Sequence, residues 1–407
     1  MKVWDSIKSA FGPSQALAAE DHWLVKIVGG KTKAGVHVSH YNAITMPAVW
    51  ACITLRADTH SSLPVHVFQT DGRNREIVRQ HDLSDILAGN ANPRMNTGTL
   101  FNTVEGHCLG WGNGYMEIQR TKSGGIAGLW PLLPDTTQPD QTFRNERGDL
   151  IYRVTIEGEQ FELPSESVLH IKGYSWDGVV GISPVQQHRN AIGLGLAMEE
   201  FGSKFFSNDA KSGGFLQHPG KLSPTAKENI KDSVTKAGEG LDDAHRIKVL
   251  EEGMKYVPQT ISPEDSQFLG SREFQIAEIA RMYRVPLVLI NSHQKDTAWG
   301  TGIEQLMIGF VQWTIRPAVQ NWEQELNRKL LTPTEREQGL YIKFNLNAIL
   351  RGDMAARAAF YASGIQNQWM VPNEAREKED MNPLDGGDEP VEKMNASEVP
   401  TGTSGEL

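Results

Sequence analysis

The chain has 407 residues, 39% of them hydrophobic and 22% charged, with a net charge of −10. This composition is typical of a soluble globular protein with two or three domains. No stretch approaches the roughly 18 apolar residues of a membrane span, and residues 1–12 lack the apolar core of a secretory signal. The two cysteines, Cys52 and Cys108, lie apart in predicted helices. We therefore expect a protein of a reducing compartment, without disulfides, a Cys-based zinc site or contact with a membrane.

The negative charge is concentrated near the C-terminus. Residues 373–398 contain nine acidic and three basic residues, and nine minus three gives a net of −6 out of the total of −10. The rest of the chain is only mildly acidic and shows no basic stripe of the kind that sequence-specific DNA-binding proteins use. Any contact with DNA is therefore expected to be loose.

The first part of the chain alternates helices and strands. Pro47 in a first turn starts a helix that ends near Ser62, and the two-residue alternation that follows predicts a strand. Residues 111–114, Trp-Gly-Asn-Gly, predict a helix stop, because glycine allows the left-handed turn that redirects the chain. The predicted elements are helices over residues 45–62, 81–88 and 100–110 and strands over residues 63–68, 115–120, 126–133, 150–156 and 168–171.

A second part begins near residue 183. Ser183 and Gln186 have the spacing of a capping box and Pro184 takes the first helical position, which predicts a helix to about residue 208. Gly193 and Gly195 either weaken this helix or permit close packing against a neighbour, and both interpretations remain open. An insert follows, with a strand over residues 213–216, a small helix over 223–237 and a hairpin made of 247–250 and 254–257.

Residues 262–331 organise the chain. Ser262 as N-cap and Pro263 at the first position start a helix that runs to Arg284, and the apolar residues 285–290 predict a short buried strand. A polar loop, residues 291–302, leads to a second helix, in whose interior Pro317 removes a backbone hydrogen bond and predicts a kink. The remaining predicted elements are that second helix over residues 303–331, a strand over 340–346, helices over 353–363 and 373–379, and disorder from Asn382 onward.

Residues that could carry chemistry do not converge. The twelve histidines are scattered without a metal-binding spacing, and neither HExxH nor GxSxG occurs. Residues 29–32, Gly-Gly-Lys-Thr, lack the first glycine of a phosphate-binding loop, and the glycines of residues 110–114 end a helix where a dinucleotide fingerprint would begin one. Asp177 lies in an aromatic-Asp-Gly sequence that fits a turn better than a catalytic position. We therefore predict no enzymatic activity, no catalytic residue, no cofactor and no metal.

Several short motifs follow one another between Met46 and Pro383. They are residues 49–64, Gly112-Asn113-Gly114-Tyr115, Gly181-Ile182-Ser183-Pro184, Glu278-Ile279-Ala280-Arg281 before Val285-Pro286, Glu304-Gln305 with Pro317, and Asn373-Glu374-x-Arg376. Each motif alone is weak, but in this order they resemble the HK97-type portal proteins of tailed double-stranded DNA phages. The resemblance covers most of the chain.

The resemblance implies an α+β portal fold with a wing, a helical stem, a small α/β clip insert and a short helical crown, assembled as a ring. The implied parts are an N-terminal segment (1–44), the wing (45–182), a stem helix (183–210), the clip (211–261), a second stem helix (262–285), a strand and tunnel loop (286–302), the long kinked wing helix and its strand (303–346), the crown (347–384) and a disordered acidic tail (385–407).

The implied function is that of a structural ring, usually a dodecamer, at one capsid vertex of the virion. Double-stranded DNA would be packaged and ejected through it without sequence-specific contacts, and the ring would nucleate head assembly in the host cytoplasm. The implied protein partners are further copies of the chain, the large terminase subunit, the head–tail connector or adaptor, and the major capsid and scaffolding proteins. The candidate tunnel-loop residues are Asn291, His293, Lys295, Asp296 and Trp299, and Pro317 is the candidate helix kink.

Two alternatives stay open on the sequence alone. A hydrolase acting on nucleic acid would use Asp177 and nearby carboxylates to hold Mg²⁺, and metal-dependent cleavage that disappears in Asp177→Asn would indicate it. A smaller head–tail adaptor is the second alternative. The 407 residues and the helix–insert–helix arrangement argue against the adaptor.

Overall fold

The computed structural model describes residues 32–72, 74–144, 149–156, 158–207, 214–217, 255–258, 265–290, 301–351, 354–379 and 381–391. The chain divides into two compact units, Met1–Phe344 and Asn345–Leu407, and each unit is described by itself. Among the described helices, none has both the length and the apolar character needed to cross a bilayer.

The first unit mixes helices and antiparallel strands. Its helices are α1 (His40–Ala43), α2 (Pro47–Ser61), α3 (Asp82–Ala88), α4 (Thr97–Trp111), α5 (Pro184–Gln187), α6 (Arg189–Ser207), α7 (Asp265–Tyr283), α8 (Thr301–Phe310), α9 (Arg316–Leu330) and α10 (Pro333–Glu337). Its strands are β1 (Val65–Asp71), β2 (Asn74–Ile77), β3 (Asn90–Asn92), β4 (Met95–Asn96), β5 (Asn113–Arg120), β6 (Ile126–Leu132), β7 (Thr137–Arg144), β8 (Leu150–Ile156), β9 (Glu159–Pro164), β10 (Val168–Lys172), β11 (Gly214–Gln217), β12 (Lys255–Pro258) and β13 (Leu340–Phe344).

Within the described residues, the longer sheets have three strands each, in the orders β13-β1-β2, β10-β5-β6 and β7-β8-β9. β13 pairs with β1 so that Phe344 lies opposite Val65 and Leu340 opposite Gln69. This pairing joins segments that are far apart in the sequence. It places the end of the first unit beside its first long helix, α2.

The main core lies where α2 packs on α4 and where α9 packs on β10 and β13. Trp322 of α9 and Phe101 of α4 are almost completely buried there. A second cluster joins the two sheets that contain β5 and β8, and it consists of Tyr115, Leu132, Tyr152, Val154 and Val168. The main core therefore combines elements from both ends of the first unit, whereas the second cluster lies entirely before Lys172.

Local signals located α2 and α4 correctly. Pro47 occupies the first turn of α2. The side chain of Asn96 accepts a hydrogen bond from the backbone of Thr99 and starts α4, while Gly112, with φ of 79°, ends it in the left-handed region. The predicted strands over 115–120, 126–133, 150–156 and 168–171 are confirmed as β5, β6, β8 and β10.

β7 and β9, which flank β8 on both sides, are not among the strands that the sequence pattern predicts. β9 is exposed along most of its length, and β7 is rich in polar residues and contains Pro139. Neither strand therefore has the apolar alternation that identifies a half-buried strand. Their position depends on pairing with β8, where Tyr152 and Val154 turn inward.

The open question about the α6 glycines has a structural answer. A Cβ atom on Gly193 would lie 2.6 Å from the side chain of Thr32, and one on Gly195 would lie 2.5 Å from that of Met46. Such distances are below any normal van der Waals contact, so Thr32 disfavours a side chain at Gly193. At Gly195 the flexible end of Met46 would have to move aside to admit one. The close-packing interpretation of these glycines is supported.

The predicted strand over residues 285–290 is wrong. The backbone N–H of Val285 donates to Ala280 at the end of α7, and Leu287–Ile290 then forms a 3-10 turn. Pro286 has no N–H to give to a sheet ladder, and Val285 alone is buried. The apolar composition indicated burial, but it could not distinguish a strand from a tight turn.

Two other predictions fall partly outside the described residues. The helix start at Ser262 and Pro263 lies outside them, as do residues 223–237 and 247–250 of the insert. The strand predicted at residues 254–257 corresponds to β12, which pairs with β11, with Phe215 opposite Val257.

The second unit contains a 3-10 turn (Leu346–Arg351) and the helices α11 (Met354–Gln366) and α12 (Pro372–Lys378). Asn373 organises the chain after α12: its amide accepts from the N–H of Leu384 at 2.8 Å and donates to Asp388 at 2.9 Å. The expectation of disorder from Asn382 onward is therefore wrong for residues 382–391. Residues 392–407 lie outside the described residues.

Candidate functional site

The candidate site is the helix junction, which we define as the end of α7, the 3-10 turn Leu287–Ile290, the start of the long helix α8–α9, and the parts of α2 and α4 that support them. Arg56 of α2 donates to the carbonyl of Tyr283 at 3.2 Å. Thr314 donates to the carbonyl of Arg284 at 2.8 Å. Two carbonyl groups left open at the end of α7 are thereby satisfied by neighbouring elements.

A buried ion pair lies beneath the helix junction. Arg56 and Glu105 approach to 3.6 Å, and their side chains are only 15% and 4% exposed. The indole N–H of Trp322 donates to the other oxygen of Glu105 at 2.9 Å. Glu105 of α4 therefore contacts both α2 and α9, and Arg56 of α2 contacts the end of α7 as well.

Aromatic rings enclose this ion pair. The ring of His60 lies 4.7 Å from that of Trp322 and 5.2 Å from that of Phe344. Burial lowers the pKa of His60, so the ring is neutral and packs as an aromatic group. The ion pair and the rings together form a buried, closely packed support.

The long helix is interrupted at this support. Its α-helical hydrogen bonding widens to a π-helical segment over Val311–Ile315, and Pro317 follows in the first turn of α9. A π segment shifts the backbone register and relieves the clash that proline imposes within an α-helix. Pro317 therefore lies in the first helical turn directly after a π-helical segment. The kink itself stays a prediction.

The candidate tunnel-loop residues Asn291, His293, Lys295, Asp296 and Trp299 lie outside the described residues. The described ends of that segment are Ile290, in the 3-10 turn, and Thr301, which starts α8. The helix junction thus fixes the elements from which this loop leaves and to which it returns.

A second contact holds the point where the chain leaves the β sheets for α5 and α6. A Cβ atom on Gly112 would lie 2.2 Å from the carbonyl oxygen of Ile182. The amide of Asn113 donates to the carbonyl of Gly181 at 2.8 Å and accepts from the N–H of Gly181 at 2.7 Å. Two of the motifs that carried the family resemblance therefore contact each other directly.

His170 completes this contact. Its Nε2 lies 2.9 Å from the Asn113 oxygen, and its Nδ1 lies 3.2 Å from the hydroxyl of Tyr152. Because the Asn113 oxygen also accepts from Gly181, it acts as acceptor here, so His170 donates from Nε2 and accepts from Tyr152. Burial, together with Lys172 and Lys329 nearby, holds the pKa of His170 well below its usual value. Neutral His170 thus fixes the orientation of Asn113.

The predicted helix start at Ser183 is confirmed. The hydroxyl of Ser183 accepts from the N–H of Gln186 at 3.1 Å and donates to the carbonyl of Gly110 at 2.9 Å. The helix then breaks at His188, between α5 and α6. The cap therefore also attaches this helix to the end of α4.

Two histidines flank Trp111 beside this cap, of which His40 is buried and His107 partly buried. The His40 ring stacks on Trp111 at 4.6 Å, and the His107 ring meets it edge-on at 5.8 Å. Burial lowers the pKa of both histidines to about 4, partly opposed by Asp135. Both rings are therefore neutral at neutral pH and must remain so for the packing to persist.

Replacing His107 with phenylalanine should reduce the loss of stability in acid. Unfolded histidines bind protons near pH 6.5, whereas His40 and His107 in the folded chain do so only near pH 4. Because the unfolded chain binds protons first, the free energy of unfolding is highest above pH 6.5 and decreases as the pH falls towards 4. His107→Phe should remove up to about 3 kcal/mol of that loss, measured by urea unfolding across this pH range.

The matched control is His37→Phe, because His37 is exposed. It should leave the pH dependence of the unfolding free energy unchanged. A His107→Phe variant with the same acid slope as the unsubstituted chain would contradict the burial argument.

Asp177 is engaged in a turn. Its carboxylate accepts from Ser175, from the N–H of Val179 at 2.8 Å and from that of Val180 at 3.0 Å. This supports the turn interpretation over the catalytic one. In the part of the chain that the structure describes, no group of three or more His, Cys, Asp or Glu side chains could hold a metal ion.

Comparison with known proteins gives a consistent result. The family model described as "Phage portal protein" matches residues 47–380. The chain is 30% identical to the portal protein of Enterobacteria phage HK97 over 88% of this chain and 83% of that protein. It is 31% identical to the probable portal protein of Streptomyces phage phiC31 over 88% of this chain and 80% of that protein.

Solved structures show the same fold. An HK97-family phage portal protein from Corynebacterium diphtheriae has a TM-score of 0.56 at 17% identity, covering 77% of this chain and 96% of that one. A chain from the neck of an empty gene transfer agent particle has a TM-score of 0.58 at 21% identity, covering 85% of this chain and 94% of that one.

The fold is thus the mixed helix-and-sheet fold of portal proteins, as the sequence predicts. The chain belongs to the phage portal protein family, in the HK97-type group.

Proposed function

We propose that the chain assembles into a ring at one capsid vertex of a virion and forms the channel through which double-stranded DNA is packaged and ejected. Membership of the portal family is the observation that carries this proposal. The ring is supported by the neck of the native gene transfer agent particle, which was computed with C12 symmetry and has a TM-score of 0.52 to this chain.

Exposed apolar side chains on the stem helices fit such an assembly. Phe274 of α7 is 59% exposed, and Leu194 and Phe201 of α6 are 44% and 54% exposed. α6 and α7 pack against each other, and the exposed side chains of Phe274 and Leu194 would contact a neighbouring subunit. Exposed apolar side chains are typical of obligate interfaces, which bury on the order of 2,000 Å² or more.

The helix junction is proposed to hold the tunnel loop predicted within residues 291–302, of which residues 291–300 lie outside the described part of the chain. The mildly acidic body of the chain favours sliding of DNA, because multiple tight phosphate contacts would retain it through counterion release. Lys295 would then touch the DNA backbone transiently, without reading bases.

The proposed partners follow from the same assignment. The insert around β11 and β12 would be the clip, which docks the large terminase subunit and later the head–tail connector. The wing would face the major capsid and scaffolding proteins, and the ring would nucleate head assembly in the host cytoplasm. Charge reversals in the insert should therefore weaken docking of the motor or the adaptor.

Deleting residues 295–301 should leave the subunit assembly intact but reduce packaging or retention of DNA. The folded support lies in α2, α4, α7 and α9, which this deletion does not touch. The measurement is the DNA content of particles assembled with the deleted chain. The control replaces the same residues with a Gly-Ser segment of equal length, which separates loop length from loop chemistry. Loss of subunit assembly in the deleted chain would show that the loop is an assembly contact instead.

A further inference from the structure

A cationic pocket lies on the first unit, away from the helix junction. It has a volume of about 490 Å³ and is formed by the C-terminal half of α9, by α10 and by β13, with β2 beside it. A volume of this size is within the usual range of ligand pockets. The charged side chains that line it are Arg75, Arg328, Arg336, Lys343 and Glu323.

The pocket has a surplus of positive charge. Arg328 is paired with Glu325 at 2.7 Å, and Glu323 accepts from the N–H of Phe344 at 2.9 Å. The exposed side chains of Arg75, Arg336 and Lys343 form no ion pair within the described residues. Three unpaired cations therefore face a single carboxylate, on a chain whose net charge is −10.

The backbone edge beside this pocket is closed. Asn327 donates to the carbonyl of Ile342 at 2.9 Å and accepts from its N–H at 2.7 Å. Together with Glu323, which occupies the N–H of Phe344, it replaces the hydrogen bonds that a further strand would make. A partner therefore cannot bind here by adding a strand to β13. Recognition must use the charged side chains.

We propose that this pocket binds an acidic peptide segment of a partner protein. Arginine guanidinium groups bind carboxylates through two parallel hydrogen bonds, and the pocket brings several such groups to one place. A nucleic-acid surface would instead extend as a stripe along the phosphate backbone. The inference goes beyond the proposed channel function and does not depend on it.

The test uses the full-length chain and a fluorescein-labelled hexaglutamate peptide, with binding measured by fluorescence anisotropy at low and high salt. The double variant R336Q/K343Q should bind the peptide roughly tenfold more weakly or worse. The matched control is R120Q/K122Q, which removes two exposed cations from the β5–β6 turn and should bind like the unsubstituted chain. Binding of the peptide should weaken at high salt.

Several results would overturn the proposal. One is that the unsubstituted chain fails to bind the peptide at low salt. Another is that both double variants lose peptide binding equally. The third is that a DNA duplex displaces the peptide and its own binding requires Arg336 and Lys343. Size-exclusion chromatography of each variant shows whether the fold and assembly are retained. Loss of peptide binding by R336Q/K343Q with unchanged assembly supports the proposal. Because assembly is measured separately, a failure of this proposal is distinguishable from a failure of the ring.

Discussion

Replacing Glu105 with alanine should destabilise the first unit by about 3–5 kcal/mol, because it leaves Arg56 as an unpaired charge in the core. The side chains of Glu105 and Arg56 are 4% and 15% exposed, so water cannot easily replace the lost partner. The substitution also removes the acceptor for the indole N–H of Trp322. Urea unfolding monitored by tryptophan fluorescence measures the loss.

Two variants separate charge from packing in this experiment. Glu105→Gln keeps an acceptor for Trp322 but removes the negative charge, so it should lie between the unsubstituted chain and Glu105→Ala. Glu200→Ala breaks the exposed pair of Glu200 with Lys204 and should not measurably change stability. Equal stabilities of Glu105→Ala and Glu200→Ala would show that the buried ion pair does not support the junction.

Replacing Gly112 with alanine should destabilise the chain by roughly 3 kcal/mol or more, by combining left-handed backbone strain with overpacking. The φ of Gly112 is 79°, and the new Cβ atom would lie 2.2 Å from the carbonyl oxygen of Ile182. Since that oxygen belongs to the backbone, it cannot turn aside. The expected consequence is local opening between Gly181 and α5, measured by hydrogen exchange.

Gly106→Ala is the matched control, because Gly106 lies within α4, the helix that Gly112 ends, and a Cβ atom there would meet nothing within 4 Å. It should be neutral or stabilise the chain by about 0.5–1 kcal/mol through its higher helix propensity. Similar losses in both variants would indicate that the helix, and not the contact with Ile182, is sensitive at these positions.

The predictable part of the fold was encoded locally. The cap at Ser183, the glycine stop at Gly112 and the first-turn Pro47 all act within a few residues of their own position. The helix and strand boundaries that depend on them were accordingly close to those observed. The family was recognisable because these local features recur in a fixed order.

What could not be predicted depends on contacts between distant segments. The pairing of β1 with β13 and the contact of Glu105 with Trp322 leave no periodic signal in the sequence. A glutamate within the apolar residues of α4 was the only available indication, and it was missed. The π segment before Pro317 also has no pattern of its own. The tunnel-loop residues remain predictions, since they lie outside the described residues.

The proposed ring is tested most directly by the stoichiometry of the purified full-length protein, measured by electron microscopy and native mass spectrometry. We expect a closed ring with about twelve subunits, as proposed from the portal family and the neck computed with C12 symmetry. Its stability should depend on protein concentration, because the exposed apolar faces of α6 and α7 need a neighbour. A stable, well-folded monomer at micromolar concentration would contradict the account.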